Sequence, residues 1–388
     1  MKNLLFIFLF GGHILSAQNF VNQVLVLNEG RFDYVNSQID VPVTIGSYDP
    51  ITQNYSVVDT IDGARFASDL KIDGYHFYVM ADTLLLKYDL NSYELLSSQT
   101  VIGGRNIHVS GENIYVTRGE YLLTLPSYLQ VYSKSDLELV IEVDTLNGPK
   151  WSTQNMVEHD GKLFIAINNG FEWGNEKSLI GVLDLETFNY LEEIDLGIDA
   201  TNPDNMMIDS NFIYTVNNKD WSGASFSKVD LSTYSTSTIN ISDVSTGCGT
   251  SCLRGDRLNF QLSMDTVLYE WNPVSFEDSG VDLGLQESFY ELSFDETNNY
   301  LYASSTDYVT YGKVYVYDEN NSLISQFDCG VSPGTIVFDI RNTTSITDYL
   351  TAEKESKSYY DMSGRKLNSI ENQPKGVYIQ SGKKVFKK

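Results

Sequence analysis

The sequence predicts an all-β protein, a seven-bladed β-propeller followed by a small β-sandwich. Three observations predict this fold class: one strand signature recurs seven times, seven short strands accompany its copies, and the composition favours strands. The 388 residues include 26 Tyr and 19 Phe but only 8 Pro. Aromatic residues suit half-buried, pleated surfaces.

The N-terminus has the features of a secretory signal peptide. Lys2 supplies a positive charge, Leu4–Phe10 is an unbroken apolar segment, and Ala17 is a small residue before Gln18. This pattern predicts cleavage between Ala17 and Gln18. The apolar segment is too short to span a bilayer, and no later segment reaches about 18 apolar residues. We therefore expect a signal peptide at 1–17 and no transmembrane segment after its removal.

Each copy of the recurring signature is an apolar strand that ends in an aromatic or aliphatic residue followed by Asp or a polar substitute. Consecutive copies are 40 to 51 residues apart, which is the length of one four-stranded blade. The Asp is expected to accept hydrogen bonds from its own turn. A turn followed by a short aromatic strand precedes most copies and indicates a hairpin. The copies are Tyr48-Asp49, Tyr88-Asp89, Tyr132-Ser133, Leu183-Asp184, Val229-Asp230, Trp271-Asn272 and Tyr317-Asp318.

One further short strand precedes every hairpin except the first. The hairpin around Val24–Leu27 lacks such a strand, and a seventh occurs at the end of the body, at Thr335–Ile340. We expect this last strand to complete the first blade and close a ring, which removes an open sheet edge. An elongated β-solenoid is the alternative. The predicted domains are therefore the signal peptide (1–17), the propeller (18–341), and a linker with a C-terminal domain (342–388).

The charge distribution separates the body from the tail. The chain has a net charge of −26, yet its last 47 residues carry nine Lys and Arg against five Asp and Glu. An acidic body repels phosphate backbones, so we expect no nucleic-acid partner. The basic tail indicates a separate module.

The tail also contains recognisable motifs. Tyr360–Arg365 (YDMSGR), Gly376–Ile379 (GVYI) and the terminal KKVFKK resemble the type A C-terminal sorting domain of the Bacteroidetes type IX secretion system. The resemblance covers roughly residues 345–388. It implies a small β-sandwich that the secretion machinery recognises, and a protein secreted or held at the outer cell surface. The residues of this sorting motif are Asp361, Gly364, Arg365, Gly376 and Tyr378.

The body resembles the YncE-like propellers of Bacteroidetes surface proteins. The resemblance is carried by Val26–Gly30 (VLNEG) and by Ile45–Pro50 (IGSYDP), which follows a polar loop. Some members of that group capture corrinoids together with outer-membrane transporters. The resemblance therefore implies capture of a corrinoid or another nutrient as one possible function.

No catalytic or cofactor motif stands out. The sequence lacks a Gly-x-Ser-x-Gly elbow, a His-Glu-x-x-His pair and a phosphate loop. We expect no cofactor and no metal site, because ligand spacings for zinc or calcium are missing. Cys248 and Cys252 either form a small disulfide or remain buried thiols. His76, His108 and His159 are expected to have structural roles near inner hairpin turns.

The informative residues are in loops on one face of the predicted ring. Propeller ligands usually bind over the central channel, where the loops leading into each inner strand meet the loops after each second strand. Aromatic rings there suit stacking, and Arg suits bidentate binding of anions. Packing within the loops is the alternative. The candidate ligand-binding residues are Arg31, Phe32, Tyr34, Arg65, Arg105, Trp151, Phe171, Trp173, Trp221, Tyr308 and Tyr311.

These observations predict an exported binding or adhesion protein whose ligand is a small molecule, a glycan or a protein. The first alternative is a propeller lyase or hydrolase that uses loop carboxylates. The second is a structural surface protein without a ligand. Fold alone does not separate these classes.

Overall fold

The computed structural model describes residues 18–121, 123–219, 222–247, 249–343, 359–360, 366–367, 375–380 and 383–387. Seven four-stranded antiparallel sheets form the blades of a β-propeller, as the sequence predicts. A short 3-10 helical turn, η1 (Ile198–Ala200), precedes the fifth blade. No helix among the described residues has the length and apolar character needed to cross a membrane.

The chain begins with the strands β1 (Gln18–Asn28), β2 (Arg31–Asp33), β3 (Gln38–Val41), β4 (Val43–Asp49) and β5 (Asn54–Ile61). Three of them, β1, β4 and β5, belong to blade 1. The other two, β2 and β3, pair only with each other and form a hairpin between β1 and β4.

Each of the other six blades is formed by four consecutive strands, of which the first is the innermost and the fourth the outermost. Blades 2 to 4 comprise β6 (Asp69–Asp73), β7 (His76–Ala81), β8 (Leu84–Asp89), β9 (Leu95–Thr100), β10 (Gly104–Ser110), β11 (Asn113–Arg118), β12 (Ser127–Ser133), β13 (Leu139–Asp144), β14 (Thr153–His159), β15 (Lys162–Ile167), β16 (Leu179–Asp184) and β17 (Tyr190–Asp195). Blades 5 to 7 comprise β18 (Pro203–Ile208), β19 (Phe212–Asn217), β20 (Ala224–Asp230), β21 (Thr236–Ser242), β22 (Ser251–Arg254), β23 (Arg257–Gln261), β24 (Leu268–Asn272), β25 (Glu277–Asp282), β26 (Leu292–Asp295), β27 (Tyr300–Ser305), β28 (Lys313–Tyr317) and β29 (Leu323–Asp328).

The ring closes through β30 (Pro333–Thr343), which is the innermost strand of blade 1 in the order β30-β1-β4-β5. This confirms the predicted return of the last strand. Side chains reinforce the junction between blades 7 and 1: the Tyr48 and Phe327 rings stack with centroids 4.0 Å apart, and the Gly330 N–H donates to Asn28 Oδ1 over 2.9 Å. Closure gives blade 1 its fourth strand, so that all seven blades are four-stranded.

The recurring Asp forms the outer turn of its blade. Asp230 Oδ1 accepts hydrogen bonds from the backbone N–H groups of Ser232 and Thr233, both over 2.9 Å. Tyr234 then adopts a left-handed φ of 57°, and its hydroxyl accepts a hydrogen bond from Lys162 Nζ over 2.8 Å in the preceding blade. Phe188 and Phe276 occupy the same position in blades 4 and 6, and each packs near a Tyr of the preceding blade. The repeated turn therefore connects neighbouring blades.

The hydrophobic core lies between the blades. The Phe77 and Tyr88 rings of blade 2 stack with centroids 4.7 Å apart and pack in one cluster with Leu25 and Leu27 of blade 1. All four side chains are fully buried. Each such burial stabilises the fold by about 1.5–3 kcal/mol, so each blade is stabilised mainly by its two neighbours.

The described part of the tail forms a four-stranded antiparallel sheet in the order β32-β31-β33-β34. Gly376 and Tyr378 belong to β33, whereas Ala17, Asp361, Gly364 and Arg365 lie outside the described residues. Residues 23–339 form one compact unit, and the two terminal segments form another. The tail strands are β31 (Tyr359–Tyr360), β32 (Lys366–Leu367), β33 (Gly376–Gln380) and β34 (Lys383–Lys387).

We predict that β30 is indispensable for a stable ring. A chain that starts at Gln18 and ends at Ser332 lacks the strand that completes blade 1, so it should aggregate or unfold. The matched control ends at Thr343 and retains β30. Size-exclusion chromatography and circular dichroism during heating compare the two. A monomeric Ser332 chain with an unchanged melting temperature would contradict the role of closure.

Candidate functional site

A cavity of about 540 Å³ occupies the mouth of the central channel. It opens on the upper face, which we define as the face with the loops leading into the inner strands and the loops after the second strands. All seven blades contribute to its wall near the beginning of their inner strands. Representative residues, in blade order from blade 1, are Thr335, Asp69, Arg105, Gln154, Asp204, Gly249 and Glu291.

Three carboxyl groups of this wall titrate near neutral pH. Burial raises the pKa of Glu29 to about 7, although the Tyr290 hydroxyl and the Arg105 guanidinium act in the opposite direction. Burial also raises the pKa of Asp204 to about 7, against the effects of Arg105 and Gln154. The pKa of Glu291 rises to about 8, chiefly through burial. The channel mouth can therefore hold both protonated and ionised carboxyl groups at neutral pH.

The position of Glu29 depends on a glycine of the closing strand. The Tyr290 hydroxyl donates to Glu29 Oε1 over 2.7 Å. A Cβ atom on Gly334 would collide with that same carboxylate oxygen. Glycine at this point of β30 therefore leaves the space that the Glu29 carboxylate occupies.

Two cations balance part of the acidic charge. The Arg105 guanidinium lies between two rings, 5.5 Å from the centroid of Phe66 and 5.0 Å from that of Phe171. Such contacts hold a cation against an aromatic face. Lys71 Nζ lies 3.1 Å from Asp69 Oδ1. The wall thus combines four carboxyl groups with two cations and three aromatic rings, those of Phe66, Phe171 and Tyr290.

Amide side chains complete the wall. Asn218 Nδ2 donates to Asp204 Oδ2 over 3.3 Å and to the Gly247 carbonyl over 3.0 Å. Asn106 Nδ2 donates to Asp69 Oδ2 over 3.3 Å, while Asn106 Oδ1 has no hydrogen-bond partner among the described residues. A ligand that both donates and accepts hydrogen bonds matches this lining.

The structure brings only some of the predicted residues to the channel. Arg105 and Phe171 line the main cavity, and Tyr308 lines a second one. The Arg65 guanidinium lies 5.4 Å from the centroid of the Phe66 ring, but Asp82 holds it in a bidentate pair, with a further contact from Glu120. Because two carboxylates neutralise it, Arg65 adds no net positive charge for an anion.

The other predicted residues that the structure describes do not line either cavity. Arg31 Nε is 3.5 Å from Asp40 Oδ2 in the β2–β3 hairpin, where Phe32 and Tyr34 pack edge to face. Trp151 packs under Lys177 Nζ at 5.0 Å. Trp173 and Tyr311 are 72% and 79% exposed. Trp221 lies outside the described residues.

The described cysteines and histidines are not part of the main cavity wall. Cys252 is buried and has no disulfide partner among the described residues, and burial raises the pKa of its thiol to about 12. Cys248 lies outside the described residues, so a disulfide between the two stays a prediction. His108 Nε2 is 2.9 Å from Glu158 Oε2, which links the inner strands of neighbouring blades. Within the described residues, no group of three or more potential ligands is placed to hold a metal ion.

Sequence reasoning missed the carboxyl groups of the channel. Asp204 and Glu291 occupy equivalent places at the beginning of their inner strands, as Arg105 does. Glu29 belongs to the VLNEG motif after the second strand of the first blade. Alignment of the repeats on their inner strands would have found the first two, because polar residues recur at that position.

Comparisons with known proteins support the fold alone. No family model matches the sequence, and no curated protein matches it. A hypothetical selenium-binding protein from Sulfolobus tokodaii superposes with a TM-score of 0.62 at 11% identity, over 84% of this chain and 94% of that one. A candidate 6-phosphogluconolactonase from Bacteroides fragilis gives 0.58 at 14% identity, over 82% and 98%. Apo AztD from Citrobacter koseri gives 0.52 at 10% identity, over 84% and 99%.

The raised pKa values predict that stability falls as the pH rises from 5 to 8. Glu29 and Glu291 have ordinary pKa values of 4.5 but titrate near 7 and 8 in the folded protein. Between these limits the folded state binds more protons than the unfolded state, so the free energy of unfolding decreases as protons are lost. Melting temperatures at pH 5, 6, 7 and 8 measure this effect.

The matched variants are Glu291→Gln and Glu296→Gln, since Glu296 is exposed in the turn at the other end of β26. Glu291→Gln should flatten the decline of the melting temperature, and Glu296→Gln should leave it unchanged. An identical decline in both variants would contradict a buried, titrating Glu291.

Proposed function

We propose that this protein is an exported β-propeller that binds a neutral, hydroxyl-rich small molecule of the saccharide class at the mouth of its channel. The observation that carries the proposal is the joint presence of carboxyl, amide and aromatic groups around one cavity of about 540 Å³. Carboxyl and amide oxygens accept from sugar hydroxyls, and amide N–H groups donate to them. Binding sites of this size commonly hold one small molecule.

The charged groups of the cavity wall favour a neutral ligand over an anionic one. Asp69 is close to the Lys71 ammonium, while Glu29, Asp204 and Glu291 share the cavity with Arg105 as the other cation. These three carboxyl groups are partly ionised near neutral pH and offset the two cations, so the wall offers a phosphate or carboxylate ligand little net positive charge. The chain as a whole carries a net charge of −26, which repels anions further. A polyhydroxylated neutral molecule avoids this cost.

Aromatic rings give the site a second mode of recognition. The rings of Phe66 and Phe171 both contact the Arg105 guanidinium, and all three residues belong to the cavity wall. The C–H face of a sugar ring packs well on exposed aromatic carbon, while its hydroxyls reach polar groups at the edge. The same wall therefore provides both packing and hydrogen bonds.

We further propose that the protein reaches the cell surface or the medium through the type IX secretion system. The apolar leader and the YDMSGR and GVYI motifs support this route. The pairing of β33 with β34 is consistent with a folded tail domain. Membership of the YncE-like group and a Bacteroidetes origin belong to the same proposal, and corrinoid capture is the ligand alternative that this resemblance implies.

A hydrolase or lyase is the second candidate function. Glu29 and Glu291 have pKa values of about 7 and 8, and carboxyl groups poised near neutrality can exchange protons with a substrate. The Tyr290 hydroxyl already donates to Glu29. Release of product from a bound saccharide, abolished by Glu29→Gln, would favour the enzyme over the binding protein.

The binding proposal predicts that Glu291→Ala weakens saccharide affinity about tenfold or more, because it removes a hydrogen-bonding group from the cavity wall. Isothermal titration of the purified chain with neutral mono- and disaccharides measures this change. Glu296→Ala, at the opposite end of the same strand, is the matched control and should bind as the parent chain does. Absence of binding across the panel, or equal affinity in both variants, would overturn the proposal.

The export proposal predicts that the secreted chain begins at Gln18 and that removal of Ser358–Lys388 retains the protein in the periplasm. The tail sheet is lost in this deletion, so the secretion machinery would have nothing to recognise. Cell fractionation and mass spectrometry in a host with a type IX system follow both effects, with the intact chain as the control. Equal secretion of the shortened chain would refute the sorting role of the tail.

A further inference from the structure

A second cavity of about 340 Å³ lies beside the channel mouth, between the upper loops of blades 6 and 7. Its aromatic wall consists of Phe289, Tyr290 and Tyr308. The rest is largely lined by small hydroxyl side chains. These are Thr246, Thr250, Ser263, Ser288 and Thr306.

Tyr290 is the shared wall of the two cavities, since it lines both. Its hydroxyl donates to Glu29 in the channel over 2.7 Å. Its ring meets the Tyr308 ring edge to face, with centroids 5.4 Å apart, on the side of the second cavity. A ligand that extends past Tyr290 would therefore pass directly from one cavity to the other.

The loop that carries Tyr308 is held in a fixed turn. Asp307 Oδ1 accepts hydrogen bonds from the N–H groups of Val309 and Thr310 over 2.9 and 2.7 Å, and the Tyr308 N–H donates to Thr306 Oγ1 over 2.9 Å. These bonds hold Tyr308 at a left-handed φ of 62°, and its side chain remains 58% exposed. A ring held in place loses little conformational freedom when a ligand packs on it.

Thr246 gives an independent indication of a polar ligand. It lines the second cavity and is only 1% exposed. Its hydroxyl oxygen has no hydrogen-bond partner among the described residues. Buried hydroxyls are normally paired, so a ligand hydroxyl in this cavity would satisfy an otherwise unmet group.

We propose that the second cavity is a further subsite for the same ligand, which makes the ligand a neutral oligosaccharide chain rather than a single sugar. One sugar unit binds among Glu29, Asp204 and Glu291, and the next units pass Tyr290 and pack on Tyr308. This inference rests on the proposed function, because it specifies the chain length of the saccharide that binds at the channel mouth.

The test is the dependence of affinity on chain length. Isothermal titration of the full secreted chain uses neutral gluco-, manno- and xylo-oligosaccharides of one to four units. We expect the tightest series to bind roughly tenfold more strongly as trimers than as single sugars. Tyr308→Asn removes the ring but keeps a residue that tolerates a left-handed φ. The substitution should abolish the higher affinity for trimers while leaving the affinity for the single sugar unchanged.

Tyr311→Asn is the matched control, because Tyr311 lies in the same loop but not on the cavity wall. Thr246→Val is the second variant; it should also reduce the higher affinity for trimers without lowering the melting temperature. If single sugars bind and Glu291→Ala abolishes that binding, but longer chains bind no better, the second subsite is refuted and the proposed function stands. If no saccharide of any length binds, both proposals fail.

Discussion

The pairing of β30 with β1 is the constraint on which the rest of the molecule depends. Each blade buries its aromatic side chains against two neighbours, so no blade is complete until the ring is. The same closure places the beginnings of seven inner strands around one axis. Arg105, Asp204 and Glu291 come from different blades and share a wall only for this reason. The stability of the ring and the cavity at its channel mouth thus have a common origin.

The channel mouth shows how a closed ring alters ordinary side chains. Glu29 and Glu291 are unremarkable in sequence, but the surrounding strands remove much of their hydration and raise their pKa values towards neutrality. Arg105 lies between two rings in the same space. The outer turns contrast with this: the Asp230 carboxylate accepts hydrogen bonds at the surface, which lower its pKa. Acidic residues therefore form hydrogen bonds in the exposed outer turns and are buried in the cavity wall.

The fold could be predicted from the sequence because its signals are local. An aromatic or aliphatic residue followed by Asp or a polar substitute marks each outer turn, and the displaced strand at Thr335–Ile340 indicates closure. The site was harder to predict because its contacts are distant in sequence. Tyr290 is 261 residues from Glu29, and Arg65 is neutralised by Asp82 and Glu120, which no spacing rule identifies. Arg105 and Phe171 were expected on the upper face from their loop positions, and both line the cavity; their role in ligand binding stays a prediction.

The displaced strand also sets an order of events during synthesis. Strand β1 is made first, but its partner β30 is made only after six other blades, more than 300 residues later. A nascent chain therefore carries an unpaired inner edge on its first blade until almost the whole body has emerged. Blades 2 to 7 can assemble progressively, each on its predecessor, while blade 1 still lacks its fourth strand. The pairing of β30 with β1 is thus a late, long-range step in folding. A chain that crosses a membrane must do so before this pairing forms, or be carried across as a finished ring.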